Sequence, residues 1–269
     1  MKISTLGPEG TFSHEAALKV NKQAEIIFES NVWDIFETVS EGKADLGVVP
    51  IENSVSGTVG MALDALLEFD LNIVSEEILQ IRHNLANSSS TADIKDIFTT
   101  EQAYEQCVKF LRKSLPDARI IETSSNAQSA KLLKESGSKS KAAIIPEFAA
   151  KIYGLKIIKK NIQDSRFNVT RFIVISKKES KKSGNDRTSI FIYPQVDKAG
   201  LLYSLLGEFA KRNINLTKIE SRPSKGKLGD YVFFIEMQGH KSEKKIQDAF
   251  AEIEKNFFLK VAGSYERKY

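Results

Sequence analysis

The 269-residue chain has one cysteine, Cys107, so no intrachain disulfide can form and a reducing compartment is expected. Cys107 falls on the apolar side of a helical pattern and reads as a core residue rather than a nucleophile. The three histidines, His14, His83 and His240, are scattered and lack metal-ligand spacing. Neither G-x-G-x-x-G nor a G-K-[ST] phosphate loop is present, which removes the readable dinucleotide and ATP sites. No run approaches the ~18 apolar residues of a membrane helix. The opening MKISTLGPEGTF lacks the apolar core of a signal peptide. The expectation is a cytoplasmic chain with no membrane partner, no metal and cofactor-free chemistry. Charge of one sign is not in large excess either. Much of the net +4 sits in Lys177, Lys178, Lys181 and Lys182, so no nucleic-acid face is expected.

What is present is an ordinary globular composition, with 41% hydrophobic and 28% charged residues, in a chain long enough for two domains. A polar, lysine-rich stretch at 176–188 (SKKESKKSGNDRT) divides two patterns. The division expected is a first domain at 1–178, a linker at 179–187 and a second domain at 188–269. Before the linker, strand patterns at 2–7, 44–51, 94–100, 118–124 and 141–146 alternate with helical patterns at 11–20, 59–69, 101–113, 126–136 and 147–154. A further strand lies at 168–175. Such alternation predicts an α/β fold of parallel sheets covered by helices, with ligands beyond the carboxyl ends of the strands. After the linker, strands at 188–194, 214–223, 230–237 and 259–265 are interleaved with helices at 200–213 and 242–257. A turn at 224–229 joins the second and third strands. This is the βαββαβ order of a ferredoxin-like module, whose open sheet edge invites pairing with a second copy.

The junctions after the first strands share one character. Residues 7–13 (GPEGTFS), 50–58 (PIENSVSGT), 99–102 (TTEQ) and 123–129 (TSSNAQS) all place Ser, Thr, Asn or Gln at a helix start. Simple N-capping explains any one of them. Together with Arg171 at the mouth of a strand, they describe a cleft for a small, oxygen-rich anion. Arg171 can instead be satisfied by an ion pair with a carboxylate such as Asp164, since arginine is rarely buried without a partner.

Three long blocks carry a resemblance: GPEGTFSHEAA at 7–17, VVPIENSVSGTV at 48–59 and NIQDSRFNVTRFIVI at 161–175. With NLTKIESRP at 215–223 and GSY at 263–265, the chain resembles the monofunctional prephenate dehydratases carrying a C-terminal ACT regulatory domain. The resemblance implies a two-lobed catalytic domain, similar to periplasmic-binding-protein type II, with the active site between the lobes. It implies conversion of prephenate to phenylpyruvate for phenylalanine synthesis. Thr170, Arg171 and Phe172 would form the catalytic motif, with Thr170 assisting departure of the ring hydroxyl. Thr11, Phe12, Ser13, Glu52, Asn53, Ser54, Gly57, Ser125 and Asn168 would bind substrate. Glu52 would repel a dianion unless turned away or paired. In the second domain, Gly200, Leu201 and Leu202 with Glu220, Ser221, Arg222 and Pro223 would bind phenylalanine as effector, and ACT domains would pair into a homodimer or homotetramer.

The chain departs from the family pattern at Thr99–Gln102, where the family often has S-H-P-Q, at 125–130, and at Ala199 and Leu201. No chorismate mutase-like segment precedes the first strand, so that second activity is not expected. Two rivals stay open on the residues alone. One is arogenate dehydratase. The other is a non-catalytic small-anion-binding protein, against which the missing signal peptide argues.

Overall fold

In the computed structural model, which describes residues 1–87, 94–195, 198–224 and 231–269, the strands form three sheets. The first contains β1 (Lys2–Leu6), β2 (Glu25–Glu29), β3 (Leu46–Asn53), the two-residue β4 (Gly57–Thr58), β5 (Asn72–Gln80) and β11 (Val169–Ser176). Its order is β2-β1-β3-β11-β5, with β4 folded back on β3. The second contains β6 (Asn84–Ala86), β7 (Asp96–Thr99), β8 (Arg119–Glu122), β9 (Lys141–Ile145) and β10 (Ile157–Lys159), in the order β10-β6-β9-β7-β8. Helices α1 (Phe12–Val20), α2 (Val32–Ser40), α3 (Gly60–Glu68), α4 (Glu101–Glu105), α5 (Val108–Ser114), α6 (Asn126–Ser136) and α7 (Glu147–Tyr153) connect them.

The expectation of parallel sheets is corrected in part. β1 and β2 are parallel, as are β7, β8 and β9, but β6 runs against them and pairs antiparallel with both β9 and β10. β6 and β10 are three-residue strands, too short to show a period of two in the sequence. The helix expected over 101–113 breaks between Glu105 and Val108 into α4 and α5. Three of the helix starts do use their expected polar residue as a cap: Thr11 accepts from the His14 amide, Thr100 from Ala103 and Ser125 from Gln128.

The contacts divide the chain into two compact units. One comprises residues 1–35, 48–59 and 77–172; the other comprises 36–47, 60–76 and 173–269. In the first, the second sheet is packed by α4, α5, α6 and α7, burying Ile97, Cys107, Leu111 and Ile144 in one cluster and Ala130, Leu133, Ala143 and Ile145 in another.

The other unit holds β12 (Asp186–Pro194), α8 (Leu201–Ala210), β13 (Leu216–Pro223), β14 (Tyr231–Gln238), α9 (Lys244–Ile253) and β15 (Phe257–Glu266). The sheet order β13-β14-β12-β15, antiparallel throughout, is the expected βαββαβ module. Ile190, Ile192, Leu205, Phe209, Ile235, Met237, Ile246, Phe250 and Ile253 form its core. On α8 the buried face runs through Leu201, Leu205 and Phe209, and Leu202 is 38% exposed. The turn expected at 224–229 lies outside the described residues apart from Ser224.

Strand β2 and helix α2 have no counterpart among the expected elements, and neither has β5. Its centre, Ser-Glu-Glu, looks solvated, yet Glu76 is fully buried. Arg187 of β12 reaches it at 2.8 Å and lies 3.9 Å from a second buried carboxylate, Glu236. Glu76 also accepts the Lys268 amide, Glu236 accepts from Ser189, and the Tyr269 ring lies 4.4 Å from the guanidinium carbon. A buried carboxylate is stable only when paired and hydrogen-bonded. Arg187→Met strips the cation from both acids. It is expected to destabilise the protein by roughly 3–5 kcal/mol, read as a lower urea midpoint. A midpoint unchanged from wild type would show that the two carboxylates do not depend on this arginine.

Candidate active site

β3 ends at Asn53 and turns through Gly57, at φ +81°, into β4. In that turn the Val55 and Ser56 amides both donate to Asn53 Oδ1 at 2.9 Å. This leaves Nδ2 to donate, and it does so to Thr170 Oγ1 at 2.8 Å and Asn168 Oδ1 at 2.9 Å. Asn168 Nδ2 in turn donates to Gln106 Oε1 at 2.7 Å, and His83 Nε2 lies 2.8 Å from the same oxygen. Ser54 ties the turn to the start of β11: its hydroxyl donates to the Phe167 carbonyl and accepts the Val169 amide, each at 2.9 Å.

These side chains border a cavity lined by Phe12, Asn53, Ile81, His83, Thr100, Gln102, Ala103, Gln106, Asn126 and Thr170. None of them carries a fixed charge. Phe12 meets the His83 ring edge-on at 6.0 Å between centroids, and Gln102 donates to Ser56 across 2.7 Å. Burial pushes His83 below the ordinary imidazole range, an effect that the Gln106 bond only partly offsets. Thr170 Oγ1 accepts from Asn53, so its own proton is available to a ligand.

Arg171 and Glu52 follow Thr170 and precede Asn53 on neighbouring strands. Side chains alternate across a strand. Arg171 is 3% exposed and meets the Glu52 carboxylate at 3.2 Å, on the face opposite to Asn53 and Thr170. The partner of the guanidinium is thus Glu52. Asp164, the acid considered for it in the sequence, accepts the Lys109 amide. Phe172 is buried in the core.

Of the remaining residues singled out in the sequence, Thr11 is spent on the cap of α1 and on the Leu6 carbonyl, Ser13 is buried with its carbonyl accepting from Thr5, and Ser125 caps α6. Phe12, Asn53 and Thr170 are brought together at the cavity, while Asn168 is hydrogen-bonded to the lining residues Asn53 and Gln106 and Ser54 joins the turn to β11. His83 and Gln106 were not read as site residues. Nothing local marks His83, and Gln106 reaches the network only because the helix breaks beside it.

In the other unit, Gly200 opens α8 at φ +82°, Leu201 is buried, and Glu220, Ser221, Arg222 and Pro223 end the edge strand β13. Glu220 lies between Lys218 at 3.5 Å and Arg222 at 3.7 Å. Arg222 also pairs with Asp64 of α3 at 3.0 Å, and its guanidinium fills the space beside Gly60, where a Cβ would fall 2.6 Å from Nη1.

Comparison with known proteins agrees with these blocks. A family model described as prephenate dehydratase matches residues 3–180, and one described as ACT domain matches 188–255. The chain is 42% identical over 99% of its length to a bifunctional chorismate mutase/prephenate dehydratase of Aquifex aeolicus, covering 74% of that protein. It is 39% identical to the prephenate dehydratase of Methanocaldococcus jannaschii, covering 96% of this chain and 95% of that one. Among solved structures, prephenate dehydratase from Arthrobacter aurescens in complex with L-Phe superposes with a TM-score of 0.92 at 35% identity, covering 99% of this chain and 90% of that chain.

Cys107, next to Gln106, tests how closed this region is. Burial first, then the Asp164 carboxylate, push its thiol up to about 12. At pH 8 the native protein is expected to resist iodoacetamide, with modification rising only in denaturant. Rapid labelling under native conditions, followed by mass spectrometry, would contradict the buried placement.

Proposed function

From the premise that this chain belongs to the prephenate dehydratase family and carries an ACT domain, we propose that Thr170 is the hydrogen-bond donor to the leaving hydroxyl and that Asn53 makes it one. The protein is a prephenate dehydratase, a carbon–oxygen lyase. In its reaction the bond to the ring carboxylate breaks and carbon dioxide departs. The electron pair passes through the ring, the carbon–hydroxyl bond breaks, and the hydroxide takes up a proton to become water. Aromatisation supplies much of the driving force. The protein must orient the dianion and stabilise oxygen as it becomes negative.

The observation that carries this reading is the direction of the Asn53–Thr170 bond. A threonine hydroxyl is a weak acid, so a donor already aimed at the developing charge contributes more than proton transfer. Because Thr170 Oγ1 accepts from Asn53 at 2.8 Å, its proton points away from Asn53. No fixed charge in the cavity lining competes with that donor. Phe12, Thr100 and Gln102 shape the pocket, and Asn168 positions Gln106 in its wall. Arg171 acts through Glu52, holding that carboxylate away from the dianion.

The ACT half takes L-phenylalanine as effector in this proposal, through 200–202 and 220–223. The Arthrobacter relative, solved in complex with L-Phe, supports it. So does Arg222, which links the motif at 220–223 to α3 through Asp64. The division into 1–178, 179–187 and 188–269, a cytoplasmic location and pairing of ACT domains into a homo-oligomer complete the proposal.

Three measurements follow. Thr170→Ala is expected to lower kcat by roughly 10²–10⁴-fold on prephenate with a much smaller change in KM. Single-turnover rates within a few fold of wild type would remove Thr170 from the chemistry. Asn53→Asp replaces the donor with an acceptor, so the Thr170 proton turns toward it. A loss of about 10²-fold or more in kcat is expected in protein that still unfolds cooperatively, and retained turnover would sink the polarity argument. Calorimetry with L-phenylalanine should give saturable binding and a roughly 5–150-fold shift in apparent substrate affinity. An active enzyme that binds no L-phenylalanine at millimolar concentration would overturn the effector reading.

A further inference from the structure

We propose that His83 is a substrate contact in the Thr170 cavity, meeting the substrate's side-chain carboxylate, the one that phenylpyruvate retains, through Nδ1 as an imidazolium formed on binding. The inference rests on the dehydratase reading and adds to it the group that neutralises the anion.

The tautomer of His83 is set from a distance. Backbone amides of Val55 and Ser56 fix Asn53 Oδ1 as the acceptor, so Nδ2 donates to Asn168 Oδ1. Asn168 must then present Nδ2 to Gln106 Oε1. That oxygen can only accept, so His83 Nε2 carries the proton it shares at 2.8 Å. The remaining ring atom, Nδ1, is buried, and no described residue gives it a hydrogen bond. His83 is 3% exposed and lines the cavity that Thr170 lines. A buried polar atom without a partner is costly, and this one belongs to a residue that lines the cavity where a ligand would sit.

Charge supplies the second argument. A dianion enters a cavity whose lining, among the described residues, holds no lysine, arginine, aspartate or glutamate. Arg171 lies on the other strand face, against Glu52. The groups facing the cavity with His83 are Phe12 from α1, Asn53 from β3, Thr100, Gln102, Ala103 and Gln106 around α4, Asn126 from α6 and Thr170 from β11, all neutral. Behind them, Cys107 is held protonated and Asp164 accepts the Lys109 amide. His83 is therefore the one lining residue able to become a cation at moderate pH. In the free enzyme burial favours its neutral form. A carboxylate at Nδ1 favours the charged form, and the proton comes from solvent. The sign follows. Protonated His83 binds the anion, so affinity is full at low pH and falls as pH rises above the free-enzyme value, levelling off only above the value in the complex.

The test measures kcat and KM for prephenate from about pH 6 to about pH 9 in wild type and His83→Gln, whose amide can still donate to Gln106. Calorimetry with phenylpyruvate in two buffers of different ionisation heat accompanies it. Wild-type KM is expected to rise with pH. The variant should raise KM about ten- to a hundredfold at the acid end, the scale of one charged hydrogen bond, with little change in kcat and a flat KM profile. Wild-type binding heats should differ between buffers, reporting proton uptake. A variant with the wild-type KM profile overturns the proposal. Should the variant fold poorly, identical wild-type heats in the two buffers overturn it as well. A wild type that forms no phenylpyruvate from prephenate defeats the dehydratase reading itself, a distinguishable result.

Discussion

An asparagine side chain has a donating and an accepting end, and at Asn53 the β3–β4 turn decides which is which. Two backbone amides on Oδ1 leave Nδ2 facing Thr170 and Asn168. Reversing the amide would turn an NH2 group toward those two donors and lose both bonds. Everything beyond inherits that direction: the free proton of Thr170, the orientation of Asn168, the acceptor on Gln106 and the tautomer of His83. The Thr170 hydroxyl, our proposed catalytic donor, is thus oriented by the main chain of a hairpin rather than by a neighbouring acid or base.

Strand alternation does the complementary work. One residue along β11 from Thr170, Arg171 turns to the other face, and one residue back along β3 from Asn53, Glu52 does the same. The sheet therefore sorts a neutral hydrogen-bonding pair toward the cavity and an ion pair away from it. The ion pair also answers how Glu52 can stand beside an anion site: its charge is held by Arg171.

Much of this was legible. Long apolar runs bounded by polar junctions located the strands that carry Asn53 and Thr170, and the spacing of Ile246, Phe250 and Ile253 located α9. Strand β5 was not legible, because Glu76 looks solvated until Arg187, far along the chain, is folded onto it. The three-residue strands β6 and β10 gave no period, and the break between α4 and α5 has no glycine or proline to announce it. His83 and Gln106 were missed for the same reason as β5. Their roles depend on partners 23 and 62 residues distant, which no local pattern encodes.

At Gly60 the absence of a side chain is occupied space. The Arg222 guanidinium lies where a Cβ would stand, on its way to Asp64. A methyl group at position 60 would push the guanidinium, the mobile end of a long side chain, out of that space and away from its pairing with Asp64. The three positions are therefore coupled. A change in α3 is felt by a residue of the ACT half, although the sequence motifs of the two halves are separate.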